Sequence, residues 1–224
     1  MDIFDYLRNN TYPGRGIIVG RYNGEAVLAY FIMGRSENSR NRVFKKEDGR
    51  IYTDAYDTSK VKDPSLIIYN CVRSLEDRTI VTNGDQTDTV VAFLEKGKSF
   101  HEALATRTYE PDAPIYTPRI SAIINADGSH TLSIIKRAGG ECLRLYYDYE
   151  GKDGQGHFIS TYDHDGDPLP SFSRDPLETE IAMDIDDFTE TLWESLDADN
   201  RISLYVRYID KENYRDRLIN KYGE

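Results

Sequence analysis

The sequence predicts an α+β fold built mainly from antiparallel sheets. Three observations carry that expectation. Apolar, β-branched runs recur in pairs around Asn-Gly and Asp-Gly, the pattern of hairpins. Helical patterning falls in two bursts, at 86–108 and 186–196, instead of alternating with each strand. The 224 residues are 39% hydrophobic and 30% charged, enough to bury a core and too apolar for disorder. With no linker, repeat or low-complexity tract, residues 1–224 are read as one domain.

The elements follow in order. Residues 15–22 and 26–33 form a hairpin across Asn23-Gly24, and the nearly continuous second run is expected to be covered on both faces. Residues 34–65 are polar and poorly periodic and read as a long excursion. Residues 66–74 and 78–82 are paired strands across Leu75-Glu76-Asp77. A helix from 86–88 to 96 is stopped by Gly97, and a second, at 100–108, is opened by the Ser99/Glu102 capping box. Residues 119–126 and 131–137 flank Asp127-Gly128, and 143–149 and 158–162 are further strands. Residues 163–180 read as loop, 186–196 as helix, 202–209 as a last strand, and 211–222 as a polar tail of helical character.

Composition bounds the function. Against 28 Lys and Arg stand 39 Asp and Glu, a net charge of −11, which repels nucleic acid and anionic lipid. No run approaches the ~18 apolar residues of a membrane span, and Met1–Asn10 lacks the pattern of a secretory leader, so a cytoplasmic protein without nucleic-acid or membrane partners is expected. Cys71 and Cys142 are then reduced thiols, and no Cys or His spacing suits a metal. Asp163-His164-Asp165-Gly166-Asp167 starts like a calcium loop but has its Gly and its twelfth residue, Arg174, out of pattern. The four histidines are scattered and read as surface or helix-face residues.

Four stretches carry possible chemistry. Arg35, Arg40 and Arg42 follow a buried strand and form the basic cluster that an acidic protein needs for an anion, or else a solvated loop balanced by Glu37 and Glu47. Tyr69-Asn70-Cys71 offers oriented hydrogen bonds to a polar ligand, or a buried network that holds the sheet. Asn83-Gly84-Asp85 opens a helix whose N–H groups either meet an anion or are capped by Thr87 or Asp85. Tyr109-Glu110-Pro111, near Thr117-Pro118-Arg119, supplies either a site carboxylate or a loop ion pair.

In residues and in order these stretches resemble the archaeal-type IMP cyclohydrolase family. The likeness runs from Gly14-Arg15-Gly16-Ile17-Ile18-Val19-Gly20 through Arg35-Ser36, Asn41-Arg42, Tyr69-Asn70-Cys71-Val72, Thr82-Asn83-Gly84, Thr87-Asp88 and Tyr109-Glu110 to Thr117-Pro118-Arg119-Ile120, within roughly 14–135. The chain departs from the archaeal pattern in its extension before Gly14, its longer arginine loop and 44–65 region, and its acidic 148–180 region.

The resemblance implies a four-layered αββα sandwich like that of the N-terminal-nucleophile hydrolases. It comes without their nucleophile, since Asp2 follows Met1. It also implies ring closure of 5-formamidoimidazole-4-carboxamide ribotide to IMP with loss of water, no cofactor or metal, a purine nucleotide as the partner, and a homo-oligomer. Among the positions it singles out, Arg35, Tyr69 and Glu110 are assigned to catalysis. Arg40, Arg42, Asn70, Asn83, Gly84 and Arg119 are assigned to substrate binding. Two other readings stand beside this one: a purine-nucleotide-binding protein without turnover, and a different nucleotide amidohydrolase on the same scaffold.

Overall fold

A computed structural model describes residues 1–61, 68–211 and 213–223. In chain order the elements are α1 (Ile3–Arg8), β1 (Arg15–Tyr22), β2 (Glu25–Met33), α2 (Glu37–Arg40), β3 (Val43–Glu47), β4 (Arg50–Asp54), β5 (Tyr69–Leu75), β6 (Arg78–Thr82), α3 (Gln86–Leu94), α4 (Phe100–Ala105), β7 (Arg119–Asn125), β8 (His130–Ala138), β9 (Glu141–Tyr149), β10 (Gln155–Ser160), β11 (Leu177–Glu180), α5 (Ile185–Ser195), β12 (Arg201–Asp210) and β13 (Asn213–Asn220).

All strand pairs are antiparallel and fall into two sheets, β11-β10-β1-β2-β12-β13 and β3-β4-β5-β6-β7-β8-β9. Side chains alternate across each strand, so the inner strands serve two layers. Ile17, Val19, Leu28 and Tyr30 of the six-stranded sheet meet Val72, Val81, Ile120 and Leu132 of the seven-stranded sheet in the central core. Ile18, Val27, Phe31 and Val206 point the other way and are covered by Ile3 and Leu7 of α1 and Phe188 and Leu192 of α5. Ile80 and Ile135 of the second sheet are covered by Val90, Val91 and Leu104 of α3 and α4. Strand β2 lies between β1 and β12 and is buried from Ala26 to Met33, as its continuous apolar run predicts.

Local chemistry explains the turns. Asn23 and Gly24 both take positive φ, 50° and 85°, as a two-residue hairpin requires. Ser99 and Glu102 form the reciprocal capping box of α4, and Gly97 before it sits at φ 70°. Asp2 caps α1, its carboxylate accepting from the N–H of Phe4 and Asp5.

Several expectations are corrected. Residues 34–65 are not a structureless excursion: they contain α2, β3 and β4, whose charged residues belong to a sheet edge with one face in solvent. The 163–180 stretch contains β11, another edge strand. The polar tail is a strand, β13, which returns along β12 after a turn with Lys211 at φ 52°. The strand read as 66–74 begins at Tyr69: Ile68 precedes it outside the strand, and residues 66 and 67 lie outside the described residues. The helix read as 100–108 ends at Ala105.

His130 and His157 are not surface residues. They are buried, and His130 Nε2 lies 3.1 Å from His157 Nδ1, joining β8 of one sheet to β10 of the other. No helix among the described residues is long and apolar enough to cross a membrane.

Candidate active site

One end of the sandwich collects the starts of β1, β3, β5 and β7. Arg15 is the first residue of β1, and the flanking glycines explain why it stands alone. A Cβ at Gly14 would lie 2.2 Å from Thr161 Oγ1, and one at Gly16 would lie 2.2 Å from the Phe31 ring. Two close approaches therefore leave Arg15 as the side chain at the mouth of the strand. The next arginines come from the loop after β2. A Cβ at Gly34 would meet the Ser39 backbone at 2.7 Å, so only glycine lets α2 fold back over the end of β2. Ser36 and Ser39 cap α2 reciprocally.

This folding carries Arg35 and Arg42 into one cavity of about 340 Å³ with Arg15, Tyr12, Tyr162 and Thr117. Arg42 is buried, 3% exposed, and donates from Nε to the Ser39 carbonyl at 2.9 Å. Arg35 is more open. It bonds Asp165 and the Gly166 carbonyl, and its guanidinium lies over the Tyr12 ring at 5.0 Å. Tyr12 stacks on Tyr162, whose hydroxyl lies 2.9 Å from Thr117 Oγ1, and Thr117 is held in turn by Asp112. Arg15 Nε is buried without a hydrogen-bond partner.

Tyr69 and Glu110 are not part of the open wall; they are buried beside it and coupled to the arginines by charge. The Tyr69 hydroxyl lies 3.2 Å from that of Tyr30. Burial raises the Tyr69 pKa, and Arg15 and Arg42 only partly offset it, so the phenol stays protonated at neutral pH. Burial also raises the Glu110 pKa, against the pull of Arg15, Arg119 and Arg42. Glu110 thus sits above the ordinary carboxylate range, which suits a group that takes and gives a proton. Among the described residues its carboxylate has no hydrogen bond or ion pair of its own. Burial works against the Arg15 cation, but Glu110 and the surrounding phenols outweigh it and raise its pKa. Arg42 moves down, through burial first and then repulsion from Arg15. The cavity therefore offers cations for an anion, with the protonated Tyr69 phenol and the Glu110 carboxyl buried beside it.

The other expected site residues lie elsewhere. Asn70 follows Tyr69 and so points to the opposite face of the sheet, where its amide binds both Asp88 oxygens on α3. Arg40 donates to the Gly34 carbonyl and to Asn200 Oδ1, outside the cavity wall. Asn83 is spent on Pro118, Gln86 and Ile120, holding the joint between β6 and β7. Gly84 leaves room for Arg119, whose Nη1 would lie 2.5 Å from a Cβ there. Arg119 clamps Thr108, Asp85 and Gln86, and reaches the cluster only through its field on Glu110. Asp85 opens α3 but makes no side-chain cap; its carboxylate is taken by Arg107 and Arg119.

Sequence reading passed over Arg15, Tyr12, Tyr30 and Tyr162. The Gly-Arg-Gly spacing was the available signal for Arg15, since it isolates one cation at a strand start. Cys71 is buried, burial pushes its thiol up, and it donates to the Ile51 carbonyl, so it is held as core.

Comparison with known proteins matches residues 12–213 to a family model described as IMP cyclohydrolase-like protein. That range extends the likeness well beyond residue 135. The IMP cyclohydrolase of Methanosphaera stadtmanae is 30% identical over 158 residues, covering 68% of this chain and 74% of that protein. The IMP cyclohydrolase of Methanocella arvoryzae is 33% identical over 132 residues, covering 57% and 64%. That of Methanopyrus kandleri is 28% identical over 180 residues, covering 78% and 86%.

Proposed function

The chain belongs to the IMP cyclohydrolase-like protein family, and we propose on that premise that it is an IMP cyclohydrolase. It closes the ring of 5-formamidoimidazole-4-carboxamide ribotide to IMP with loss of water, in the last step of purine synthesis. The observation that supports this most is the meeting of Arg15, Arg35 and Arg42 in one cavity beside a protonated Tyr69 and a buried Glu110.

Ring closure joins the carboxamide nitrogen to the formyl carbon. Charge develops on the formyl oxygen, which takes up the proton that leaves the attacking nitrogen; the carbinol hydroxyl then departs as water with a second proton, lost from the former formamide nitrogen as the ring C=N forms. Arg35 and Arg42 hold the 5′-phosphate as guanidinium forks, fixing the two reacting groups against each other. The Tyr69 hydroxyl donates to the formyl oxygen as charge builds there. Glu110 takes the amide proton and passes it to the formyl oxygen to give the carbinol hydroxyl, then takes the proton of the former formamide nitrogen and gives it to that hydroxyl as it leaves, a cycle its raised pKa favours. Arg15, which lines the cavity, pulls the Glu110 pKa down against the rise from burial. No step needs a covalent nucleophile.

We read the two sheets with helices on both outer faces as the architecture of the N-terminal-nucleophile hydrolases. The reading also has the chain act in the cytoplasm as a homo-oligomer, which light scattering on the eluted protein tests; a monomer at all concentrations removes that part. The reaction is tested by incubating chelator-treated protein with the formamido ribotide and analysing the product by mass and retention. The expected product is lighter by one water and elutes with IMP. Saturable IMP binding without conversion would replace the enzyme by a binding protein.

A further inference from the structure

Of the outer strands of the two sheets, β3, β11 and β13 are guarded against a further strand. On β3 the Asn220 amide takes the open main chain of Phe44, accepting from its N–H at 2.9 Å and donating to its carbonyl at 3.0 Å. β11 is four residues long, and the Met1 ammonium donates to its Glu178 carbonyl at 3.0 Å. β13 carries Arg215, Asp216 and Arg217, ion-paired with Glu25, Lys46 and Asp186. Capped, short and charged edges all discourage strand addition.

β9 is the remaining edge, and it is long and regular. It runs nine residues, Glu141–Tyr149, without proline and without a register shift against β8. Among the described residues nothing besides β8 bonds its main chain. No residue of β9 is buried, although five of the nine are leucine or tyrosine. Leu143 is 38% exposed, and Leu145, Tyr147 and Tyr149 pack only partly against the central core. Tyr146 packs in the same partial way against the layer of α3 and α4. The strand carries two further charges inside its length. Arg144 Nη2 donates to the Arg107 carbonyl at 2.6 Å, and Asp148 accepts from Thr131 Oγ1 at 2.6 Å, both neutral partners. Among the described residues neither belongs to an ion pair.

We propose that β9 pairs antiparallel with β9 of a second copy of this chain, about a two-fold axis at Tyr146. A second copy is the occupant because the strand is complementary to itself in that register. Each Arg144 lies opposite the other copy's Asp148, Leu145 lies opposite Tyr147, and Leu143 lies opposite Tyr149, so charges and apolar side chains match on both faces. Centring the axis on Arg144 or on Asp148 would instead set like charges opposite each other. Pairing satisfies the open main-chain groups of β9, covers its leucines and tyrosines, and carries the seven-stranded sheet through both copies. The proposal rests on the homo-oligomer part of the reading above and is independent of its chemistry.

Sedimentation velocity on the full chain, over a range of concentrations, tests this. The wild type is expected as a dimer or a multiple of one. Asp148→Arg, at an exposed side chain, sets arginine opposite arginine and is expected to weaken self-association about tenfold or more. Arg144→Glu is expected to do the same by setting two carboxylates opposite each other. An equimolar mixture of the two variants is expected to re-form a mixed dimer, because both cross-strand pairs are then of opposite charge. Where Arg144→Glu loses its fold with its bond to Arg107, Tyr146→Cys in a Cys142→Ser chain takes its place: the new thiols face each other on the axis, and oxidation by diamide is expected to give a reducible covalent dimer. A wild type that is monomeric at every concentration overturns the proposal together with the homo-oligomer reading. An oligomer that withstands Asp148→Arg, or a chain that gives no Tyr146→Cys cross-link, overturns the β9 pairing alone.

Discussion

Replacing Tyr69 by Phe removes one oxygen and leaves the ring in the core. Tyr69 is 7% exposed, and its hydroxyl has the fully buried Tyr30 hydroxyl as its neighbour at 3.2 Å. Losing that hydrogen bond costs about 1 kcal/mol, and leaving Tyr30 unpaired brings the total to about 1–3 kcal/mol. The kinetic effect is separate. If the hydroxyl donates to the formyl oxygen only as charge develops, kcat falls by about 10²–10³, as for removal of one oxyanion donor. KM is expected to stay within a few-fold, because the proposed phosphate contacts of Arg35 and Arg42 are untouched. The assay is ultraviolet absorbance on ring closure, with a denaturant melt on the same preparation. Tyr30→Phe is the control: it loses similar stability but keeps the Tyr69 donor, so kcat is nearly retained. A Tyr69→Phe enzyme with kcat within about threefold of the parent would refute the donor role. An equal loss of rate in Tyr30→Phe would reduce Tyr69 to a packing residue.

Glu110→Gln is expected to lower kcat by about 10²–10⁴ and to abolish the acid limb of the pH–rate profile. Because burial raises the Glu110 pKa, the parent's limb begins above the ordinary carboxylate range, with activity lost as pH falls through it; a variant with the same limb assigns it to another group. Gly34→Ala forces a Cβ to 2.7 Å from the Ser39 backbone, so it should destabilise the fold by about 1–3 kcal/mol and raise KM by displacing Arg35 and Arg42; unchanged melting and KM would show that the loop is not held there. His157 is held down to about 4, by burial first and then by His130. The unfolded chain binds the extra proton below about pH 6.5, so stability is complete above that value and lost as pH falls toward 4. After allowance for solvent screening the loss is about 1–2 kcal/mol. Denaturant midpoints at pH 7 and pH 4.5 should draw together in His157→Gln, and an undiminished difference would exclude the histidine pair as its source.

Most of the layered fold was legible because its signals are local. Asn23-Gly24, the Ser99/Glu102 box and the continuous apolar run of β2 each state their geometry within a few residues. What failed was at the edges. β3, β11 and β13 are outer strands or lie next to them, so charged side chains on their open faces blur the period-two pattern. The buried pairing of His130 with His157 joins strands from different sheets, and no local pattern announces it. The site divides in the same way. Arg35 and Arg42, Tyr69, and Glu110 come from three separated segments that the fold brings to one end. Asn70 was assigned with Tyr69 although strand alternation sends adjacent side chains to opposite faces, and its amide ends at Asp88. Arg15 was hidden between two glycines whose purpose is set by Thr161 and Phe31, distant in sequence.

We place catalysis at the cavity that holds Arg35. The measurement that tests this most directly is the rate of absorbance change on adding the formamido ribotide to the wild-type chain and to Arg35→Ala. Arg35 is partly exposed, so its loss spares the core. Steady conversion by the wild type and at least a tenfold loss of kcat/KM in the variant, with melting unchanged, are expected. A wild-type chain that gives no conversion, or a variant as fast as its parent, would contradict that placement.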